Sequence, residues 1–330
     1  MDRDPRDATG RGPVLVLAEH DGGAVGERCR EALTAARALG VVHALWLGTG
    51  AEHGAPDLAT FGAEVVHVVS AAEATITTTA TAHAVTAVAR AAGAAVVLLP
   101  TTPRNAQVAA LVAHSLGAGL VIGASDLRRT AAGSVATTQH ALAATWRVRA
   151  EVVSDLAVVT LLPHAVRPTP APTPAGGHVR QHAVPSEPAT RTFRVLERTA
   201  APTSTRQDLA TADVVVAGGR GTQGDFGVLA ELAEVLGGAV GATGVATEEG
   251  WAPREVLIGQ SGVTVAPRLY LGAGVSGAVH HRAGMEAAGT IVAIDLDPDA
   301  PIFEIADFGV VGDLGTILPQ LVAEVRRLRS

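Results

Sequence analysis

Hydrophobic positions in the first third of the chain alternate between short unbroken runs and longer stretches with helical spacing. Unbroken apolar runs are typical of strands buried on both faces, and the stretches between them fit helices. The pattern predicts strands at residues 14–18, 41–47, 64–69 and 94–99, and helices at residues 24–39, 81–92 and 104–116. Because strands alternate with helices, we expect an N-terminal α/β domain with a parallel, nucleotide-hydrolase-like sheet.

The helical spacing stops after Gly119, and short apolar runs then follow one another. These runs predict an antiparallel extension of the sheet, with strands at residues 120–122, 134–140, 144–153 and 156–162. Residues 163–188 are rich in proline, alanine and glycine, which favours a long exposed loop. A further strand is expected at residues 191–199, and residues 200–212 are expected to link two domains.

Alternating strands and helices return at Asp213 and predict a second domain. Its expected strands are residues 213–217, 268–271, 291–294 and 308–311, and its expected helices are residues 225–236 and 315–328. This order is typical of a doubly wound parallel sheet, whose ligands bind at the carboxyl ends of the strands. The predicted organisation is a disordered tail (1–12), an N-terminal docking domain (13–199), a linker (200–212) and a ligand-binding domain (213–330).

Length, composition and charge exclude several classes of function. A chain of 330 residues with 48% hydrophobic and 17% charged residues suits two globular domains. The net charge is −7 and no basic block occurs, so neither nucleic acid nor an anionic membrane surface is an expected partner. The single cysteine, Cys29, excludes an internal disulfide and a cysteine zinc site. No histidine group has metal-ligand spacing, and no apolar run is long enough for membrane insertion, so a cytoplasmic protein without a metal is expected.

Two glycine motifs are candidate ligand-binding turns. Gly219-x-Gly221-x-x-Gly224 and Gly272-x-Gly274-x-x-Gly277 each lie between a predicted strand and a predicted helix. Such turns bind the pyrophosphate of a dinucleotide, because glycines allow close approach and free N–H groups face the ligand. Asp295 ends the next strand, where an NAD-binding domain places its ribose-binding acid. Tight packing of strand and helix is the alternative explanation of both motifs.

Further motifs occur between and after these turns in a fixed order. They are Val216-Ala217-Gly218-Gly219-Arg220-Gly221, Val240-Gly241-Ala242-Thr243, Gly259-Gln260-Ser261-Gly262, residues 269–281, residues 297–303 and residues 306–314. With them, the domain from Asp213 to about Arg327 resembles the C-terminal domain of the electron transfer flavoprotein alpha subunit. The N-terminal domain is similar more weakly, with its best segment at residues 103–120.

The resemblance implies a C-terminal FAD-binding domain and a heterodimer with an electron transfer flavoprotein beta subunit. Dehydrogenases would be the electron donors, and a quinone reductase or another acceptor would receive the electrons. A carrier of this kind has no substrate of its own, and no catalytic residue is expected. The positions that match the family's cofactor-binding motifs are Arg220, Thr243, Gly259, Gln260, Ser261, Ser276, Gly277, Ala278, Val279, His280, His281, Asp295, Asp313 and Leu314.

The same resemblance implies individual roles for some of these residues. Arg220 would lie near the flavin ring and favour its reduced, anionic form, and Ser261 would lie near the reactive flavin nitrogen. His281 would donate a hydrogen bond to the flavin oxygen that gains charge on reduction. Asp313 and Leu314 would contact the adenosine end of FAD.

Three positions depart from the family pattern. Many members have an arginine after the segment matching Gly241-Ala242-Thr243, where it stabilises an anionic semiquinone, but this chain has Gly244. Asp295 replaces a common asparagine, and His280 replaces a common glutamine and compensates for the missing arginine if it is protonated. These departures keep two alternatives open: an NAD-dependent oxidoreductase that uses residues 272–277 and Asp295, and a non-redox assembly paralogue.

Overall fold

The protein is described by a computed structural model that covers residues 12–21, 23–70, 77–141, 146–184 and 208–329. The described residues form two compact units, one within 12–184 and the other within 208–329. Most of the predicted tail, the predicted strand at 191–199 and the first part of the predicted linker lie outside the described residues. The two-domain α/β architecture expected from the sequence is confirmed.

The N-terminal unit is built on a single nine-stranded sheet. In chain order its elements are β1 (Val14–Leu17), β2 (His20–Asp21), β3 (Ala24–Val25), α1 (Glu27–Ala36), β4 (Val42–Leu47), α2 (Ala51–Thr60), β5 (Ala63–Val69), α3 (Thr78–Ala92), β6 (Val96–Pro100), α4 (Pro103–Leu116), β7 (Gly119–Arg129), β8 (Val135–Ala141), β9 (Trp146–Val152), β10 (Ala157–Leu161) and β11 (His178–Gln181). The sheet order is β11-β5-β4-β1-β6-β10-β7-β8-β9, and the short β2 and β3 pair separately. All neighbours from β11 to β7 are parallel, and β7, β8 and β9 are antiparallel, which confirms the predicted extension.

Three features of this unit differ from the prediction. β10 is not part of the antiparallel extension, because it lies between β6 and β7 and is parallel to both. The segment expected to be a long loop contains β11, which adds to the sheet edge through backbone bonds to β5. The sequence pattern does not reveal α2, because Gly54 and Pro56 interrupt its helical spacing.

The C-terminal unit is a five-stranded parallel sheet covered on both faces. Its elements are β12 (Val214–Gly218), α5 (Gly227–Leu236), β13 (Ala239–Ala242), α6 (Gly244–Glu248), β14 (Leu269–Ala273), α7 (Val279–Arg282), β15 (Ile291–Asp295), β16 (Phe308–Val311) and α8 (Leu314–Arg329). The sheet order is β13-β12-β14-β15-β16. Alternate residues of β12 face opposite cores: Val216 packs with Leu229 and Leu318, whereas Val215 packs with Tyr270 and other residues of the second core.

The sheet order places a topological switch point between β12 and β14. The chain leaves β12 toward β13 on one side and then returns to β14 on the other side. Ligands of doubly wound sheets bind at such a switch point, beside the loops that follow the two strands. The described part of the predicted linker is folded against this unit, since Leu209 and Ala212 are buried in its core. Among the helices of the described residues, none is long and apolar enough to cross a membrane.

Three histidines of the N-terminal unit form a hydrogen-bonded chain: His43 on β4 and His67 on β5 are buried, and His182 directly follows β11. His43 Nδ1 lies 3.0 Å from His67 Nε2, and His67 Nδ1 lies 2.8 Å from His182 Nε2. Burial lowers the pKa of His43 to about 4, and burial together with the charges of His43, His182 and Arg180 lowers the pKa of His67 to about 3. Burial and Arg180 also lower the pKa of His182. The three histidine side chains are therefore neutral in the folded protein at neutral pH.

Because of these three histidines, we expect the N-terminal unit to lose stability as the pH falls. In the unfolded state His43 and His67 bind a proton below about pH 6.5, whereas in the folded state they resist protonation down to about pH 4 and about pH 3, respectively. Each group therefore lowers the free energy of unfolding by up to about 1.4 kcal/mol per pH unit below pH 6.5. His67→Gln, whose amide can bridge both neighbours, should reduce this slope.

The measurement is hydrogen exchange of the β4 and β5 amides at pH 7, 6 and 5, corrected for intrinsic rates. His53→Gln is the matched control, because His53 has a side chain that is 75% exposed and should leave the slope unchanged. Equal slopes in His67→Gln and the unmodified protein would contradict the prediction.

Candidate functional site

The two glycine motifs follow the two strands that border the switch point. The first turn, with Gly219 and Gly221, comes directly after β12, and the second turn, with Gly274 and Gly277, comes directly after β14. Because β12 and β14 are parallel and adjacent, both turns lie at the same edge of the sheet. The sequence spacing thus brings the two motifs together in space.

The first turn packs its backbone directly against the second. Gly219 N donates to Ala273 O at 3.1 Å, and Gly221 N donates to Gly274 O at 3.0 Å. A Cβ atom at Gly219 would lie 2.2 Å from Gly274 O, and one at Gly221 would lie 2.6 Å from Gly274 Cα. The glycines of the first motif therefore serve close packing between the two turns, and the amides of Gly219 and Gly221 are not available to a ligand.

The second turn leaves its backbone amides free. Among the described residues, no protein group accepts a hydrogen bond from the five consecutive N–H groups of residues 276–280. Gly277 has a φ of +79°, and a Cβ atom there would lie 2.5 Å from Ile302 N, so glycine is required at this position. Consecutive unsatisfied N–H groups form an anion-binding concavity. The second motif therefore has the donors that a pyrophosphate needs.

Polar side chains surround these free amides. Ser276, Gln260 and Ser261 are exposed, and so is His280. The Gln260 backbone donates to His280 O at 2.9 Å, and His280 Nδ1 lies 2.9 Å from Gln260 Oε1. Since an amide oxygen only accepts, Nδ1 of His280 donates and its Nε2 remains exposed. Gly259, with a φ of +148°, allows this close approach, because a Cβ atom there would lie 2.8 Å from His280 O.

Arg220 adds a positive charge to the same edge of the sheet. It opens the short 3₁₀ turn Arg220–Thr222 after β12, and its side chain is exposed. No carboxylate among the described residues pairs with it. An unpaired guanidinium is suited to a phosphate or to a developing anion, because it is charged at every working pH.

The structure corrects the expected hydrogen bond from His281. The side chain is buried, with Nε2 at 2.6 Å from the Tyr270 hydroxyl and Nδ1 at 3.0 Å from Ile258 O. Burial lowers the pKa of His281 to about 4, so the ring is neutral and has a single N–H. Because that N–H is used by a carbonyl, His281 has no donor left for a flavin oxygen. The exposed imidazole at this place is His280.

The remaining predicted residues are divided between helix starts and loops. Thr243 caps α6, with its hydroxyl accepting from Ala246 N, and Gly244 follows it as the first residue of that helix. Asp313 Oδ1 accepts from the backbone and hydroxyl of Thr316 beside Leu314, where α8 begins. The Thr243 hydroxyl keeps its proton to donate, and Asp313 Oδ2 has no bond to Thr316. The ligand contacts of both residues stay predictions.

Asp295 lies where an NAD-binding acid would lie, at the carboxyl end of β15. Its Oδ1 accepts from Asp297 N at 3.0 Å, which closes a local turn. Ala278 and Val279 are exposed between the free amides and complete the second turn. Tyr270, the partner of His281, is the residue near this site that sequence reasoning missed. The available signal was a single aromatic residue in an otherwise non-aromatic strand, and it is the only tyrosine of the chain.

Comparison with known proteins identifies related chains. A family model described as the electron transfer flavoprotein FAD-binding domain matches residues 208–286, and one described as the electron transfer flavoprotein domain matches residues 14–187. The electron transfer flavoprotein subunit alpha of Mycobacterium leprae (strain TN) is 39% identical over 318 residues, covering 95% of this chain and 98% of its own.

Two further relatives show how the similarity is distributed. The subunit alpha of Syntrophomonas wolfei subsp. wolfei is 33% identical over 316 residues, covering 94% of this chain and 98% of its own. The mitochondrial subunit alpha of Oryza sativa subsp. japonica is 52% identical over 122 residues, covering 36% of this chain and 34% of its own. The similarity to these relatives thus includes both full-length and shorter, higher-identity matches.

The second turn generates a test with a matched control. Gly277→Ala should weaken FAD binding by about tenfold or more, because the new Cβ atom would displace either the turn or Ile302. Gly237→Ala is the control, since Gly237 also has a positive φ, +68°, but no atom within 4 Å of the added Cβ atom. Both variants bear similar backbone strain, so only Gly277→Ala should change the dissociation constant measured by flavin fluorescence. Equal affinities in the two variants would show that the second turn does not bind FAD.

Proposed function

We propose that this chain, which belongs to the electron transfer flavoprotein alpha subunit family, holds FAD against the second glycine turn of its C-terminal unit. The expectation of an electron transfer flavoprotein alpha subunit with FAD as cofactor is confirmed by the family matches and the full-length relatives. FAD supplies the redox chemistry when bound, and the protein supplies binding, orientation and electrostatics.

The row of free amides at residues 276–280 is the observation that supports this assignment most directly. Pyrophosphate is an anion that several N–H groups can bind at once, and the five donors are consecutive and have no protein acceptor among the described residues. The first turn offers no such row, because Gly219 and Gly221 donate to the second turn. The residues therefore fit a dinucleotide at one motif and not at both.

The side chains around this row have separate proposed tasks. Arg220 places a fixed positive charge at the cofactor and stabilises the anionic, reduced form. Ser261, Gln260 and His280 offer exposed polar groups on one wall, in line with their predicted contacts. His281 supports that wall from below, and Asp313 and Leu314 remain the proposed contacts of the adenosine end.

Two of the departures from the family pattern, Gly244 and Asp295, change the charge near the cofactor. Gly244 begins α6 without a side chain, so this position adds no cation to the cleft. Asp295 adds a carboxylate at the neighbouring strand, where it already accepts from Asp297 N. With fewer cations and one more anion, reduction of FAD should be harder here than in a member with arginine and asparagine at these positions.

Membership of the family implies a beta-subunit partner. We propose a heterodimer in which the N-terminal unit is a docking platform, and in which dehydrogenases donate electrons and a quinone reductase or similar protein accepts them. The matching family model is an FAD-binding domain, which favours FAD over the NAD-dependent alternative.

The proposed function is tested by co-expression with a beta-type subunit, purification of the complex and identification of the cofactor released on denaturation. The expected result is a yellow complex that releases about one FAD per alpha chain. A folded, paired and colourless complex that takes up no added FAD would contradict the proposal, and it would support the assembly paralogue.

The charge of Arg220 gives a second quantitative test. Arg220→Gln should still bind FAD, but its midpoint potential should become more negative, because a cation that stabilises the reduced form is gone. A loss of about 1.4 kcal/mol corresponds to about 30 mV for two electrons or about 59 mV for one.

Arg268→Gln is the matched control, since Arg268 is also exposed but precedes β14 at the opposite edge of the sheet. Spectroelectrochemical titration of both variants measures the shift. Potentials that agree in the two variants would place Arg220 away from the flavin.

A further inference from the structure

A buried pair of side chains lies beneath the second glycine turn. Tyr270 is on β14 and fully buried, and its hydroxyl lies 2.6 Å from His281 Nε2. On the other side of the ring, His281 Nδ1 lies 3.0 Å from Ile258 O. Since a carbonyl oxygen can only accept, Nδ1 has the proton, and Nε2 accepts from the Tyr270 hydroxyl. The two partners together fix one tautomer of His281.

The pair connects β14 with the two segments that have the exposed polar groups proposed to contact FAD, residues 258–261 and residues 280–281. Ile258 directly precedes Gly259 and Gln260, and His281 directly follows His280. The backbone repeats the connection, because Gln260 N donates to His280 O at 2.9 Å. A rigid link from β14 through His281 to Ile258 therefore sets the distance between residues 259–261 and the free amides of the second turn.

Both groups keep their protonation state near neutral pH. Burial raises the pKa of the Tyr270 hydroxyl, and burial lowers the pKa of His281 to about 4. The Tyr270 hydroxyl therefore stays a donor, and Nε2 stays an acceptor. The tilted rings, with centroids 6.1 Å apart, are consistent with an in-plane hydrogen bond rather than stacking.

We propose that Tyr270 is a positioning residue for the FAD cleft, which acts through its hydrogen bond to His281 and holds the 259–261 segment against the second glycine turn. This inference rests on the proposed function of the same site. Tyr270 is buried in the sheet and the exposed groups of the wall lie above it, so its effect on the cofactor is transmitted by His281 and Ile258.

The test uses Tyr270→Phe, which removes only the hydroxyl. In the full-length chain paired with its beta-type subunit, we expect the FAD dissociation constant to rise about tenfold. Nitrogen-15 NMR of histidine-labelled protein gives a second readout, with the His281 signal assigned by its loss in His281→Gln. The unmodified protein should show only the Nδ1-protonated tautomer, and Tyr270→Phe should show a mixture of both tautomers.

Val216→Ala is the matched control for loss of stability. Val216 is fully buried in the same sheet, but it belongs to the core on the opposite face. This variant should keep the His281 tautomer and should bind FAD within about twofold of the unmodified protein. A Tyr270→Phe protein that matches Val216→Ala in both readouts would overturn the proposal.

A pair of His281 variants keeps the proposal testable if Tyr270→Phe does not fold. Glutamine can donate to Ile258 O and accept from Tyr270, so His281→Gln should bind FAD within about threefold of the unmodified protein, whereas His281→Ala should lose about tenfold or more. Equal losses in both variants would overturn the bridging role. The NMR measurement on cofactor-free protein is independent of FAD, so a complex that takes up no FAD would refute the proposed function while the tautomer still decides the role of Tyr270.

Discussion

The C-terminal unit depends on the contact between two glycine turns at the switch point of its sheet. Gly221 and Gly274 approach so closely that a Cβ atom on either would lie 2.6 Å from the Cα atom of the other. This contact lets β12 and β14 end side by side and gives both turns one fixed conformation. The donors of the first turn hold the second turn, whose own N–H groups at residues 276–280 have no protein acceptor among the described residues. A site with such a backbone is largely formed before a ligand arrives, which lowers the entropic cost of binding.

The polar residues near the two turns divide into an exposed group and a buried group, which differ in the partners they need. Arg220, Gln260 and His280 are exposed at the edge of the sheet, whereas Tyr270 and His281 are buried below it. A buried polar group needs a partner inside the protein. Tyr270 and His281 therefore form a hydrogen bond with each other, and His281 forms a second one with Ile258 O. Exposed groups have no such requirement and remain available to a cofactor. The same rule explains the histidine chain of the N-terminal unit, whose members also satisfy one another.

The sequence predicted the parts of the fold that local pattern determines. The unbroken apolar run at residues 14–17 and the glycine turns after β12 and β14 predicted the correct strands, and they placed both glycine motifs at one edge of the sheet. It could not predict that β10 lies between β6 and β7, because strand order depends on pairing between distant residues. β11 was missed because all four of its side chains are exposed, which leaves no apolar pattern. The partners of His281 could not be predicted either, since a histidine in a short helix gives no sign of the tyrosine beneath it.

The position of β10 has a consequence for how the N-terminal unit forms during synthesis. β6 and β7 are joined by α4 and emerge from the ribosome early, but they do not pair with each other. Their facing edges stay open until residues 157–161 have been made and can insert between them. Unpaired strand edges associate readily with other chains, so the nascent protein passes through an interval in which it is prone to aggregate. Late insertion of a central strand makes this a fold of high contact order, which is expected to mature slowly.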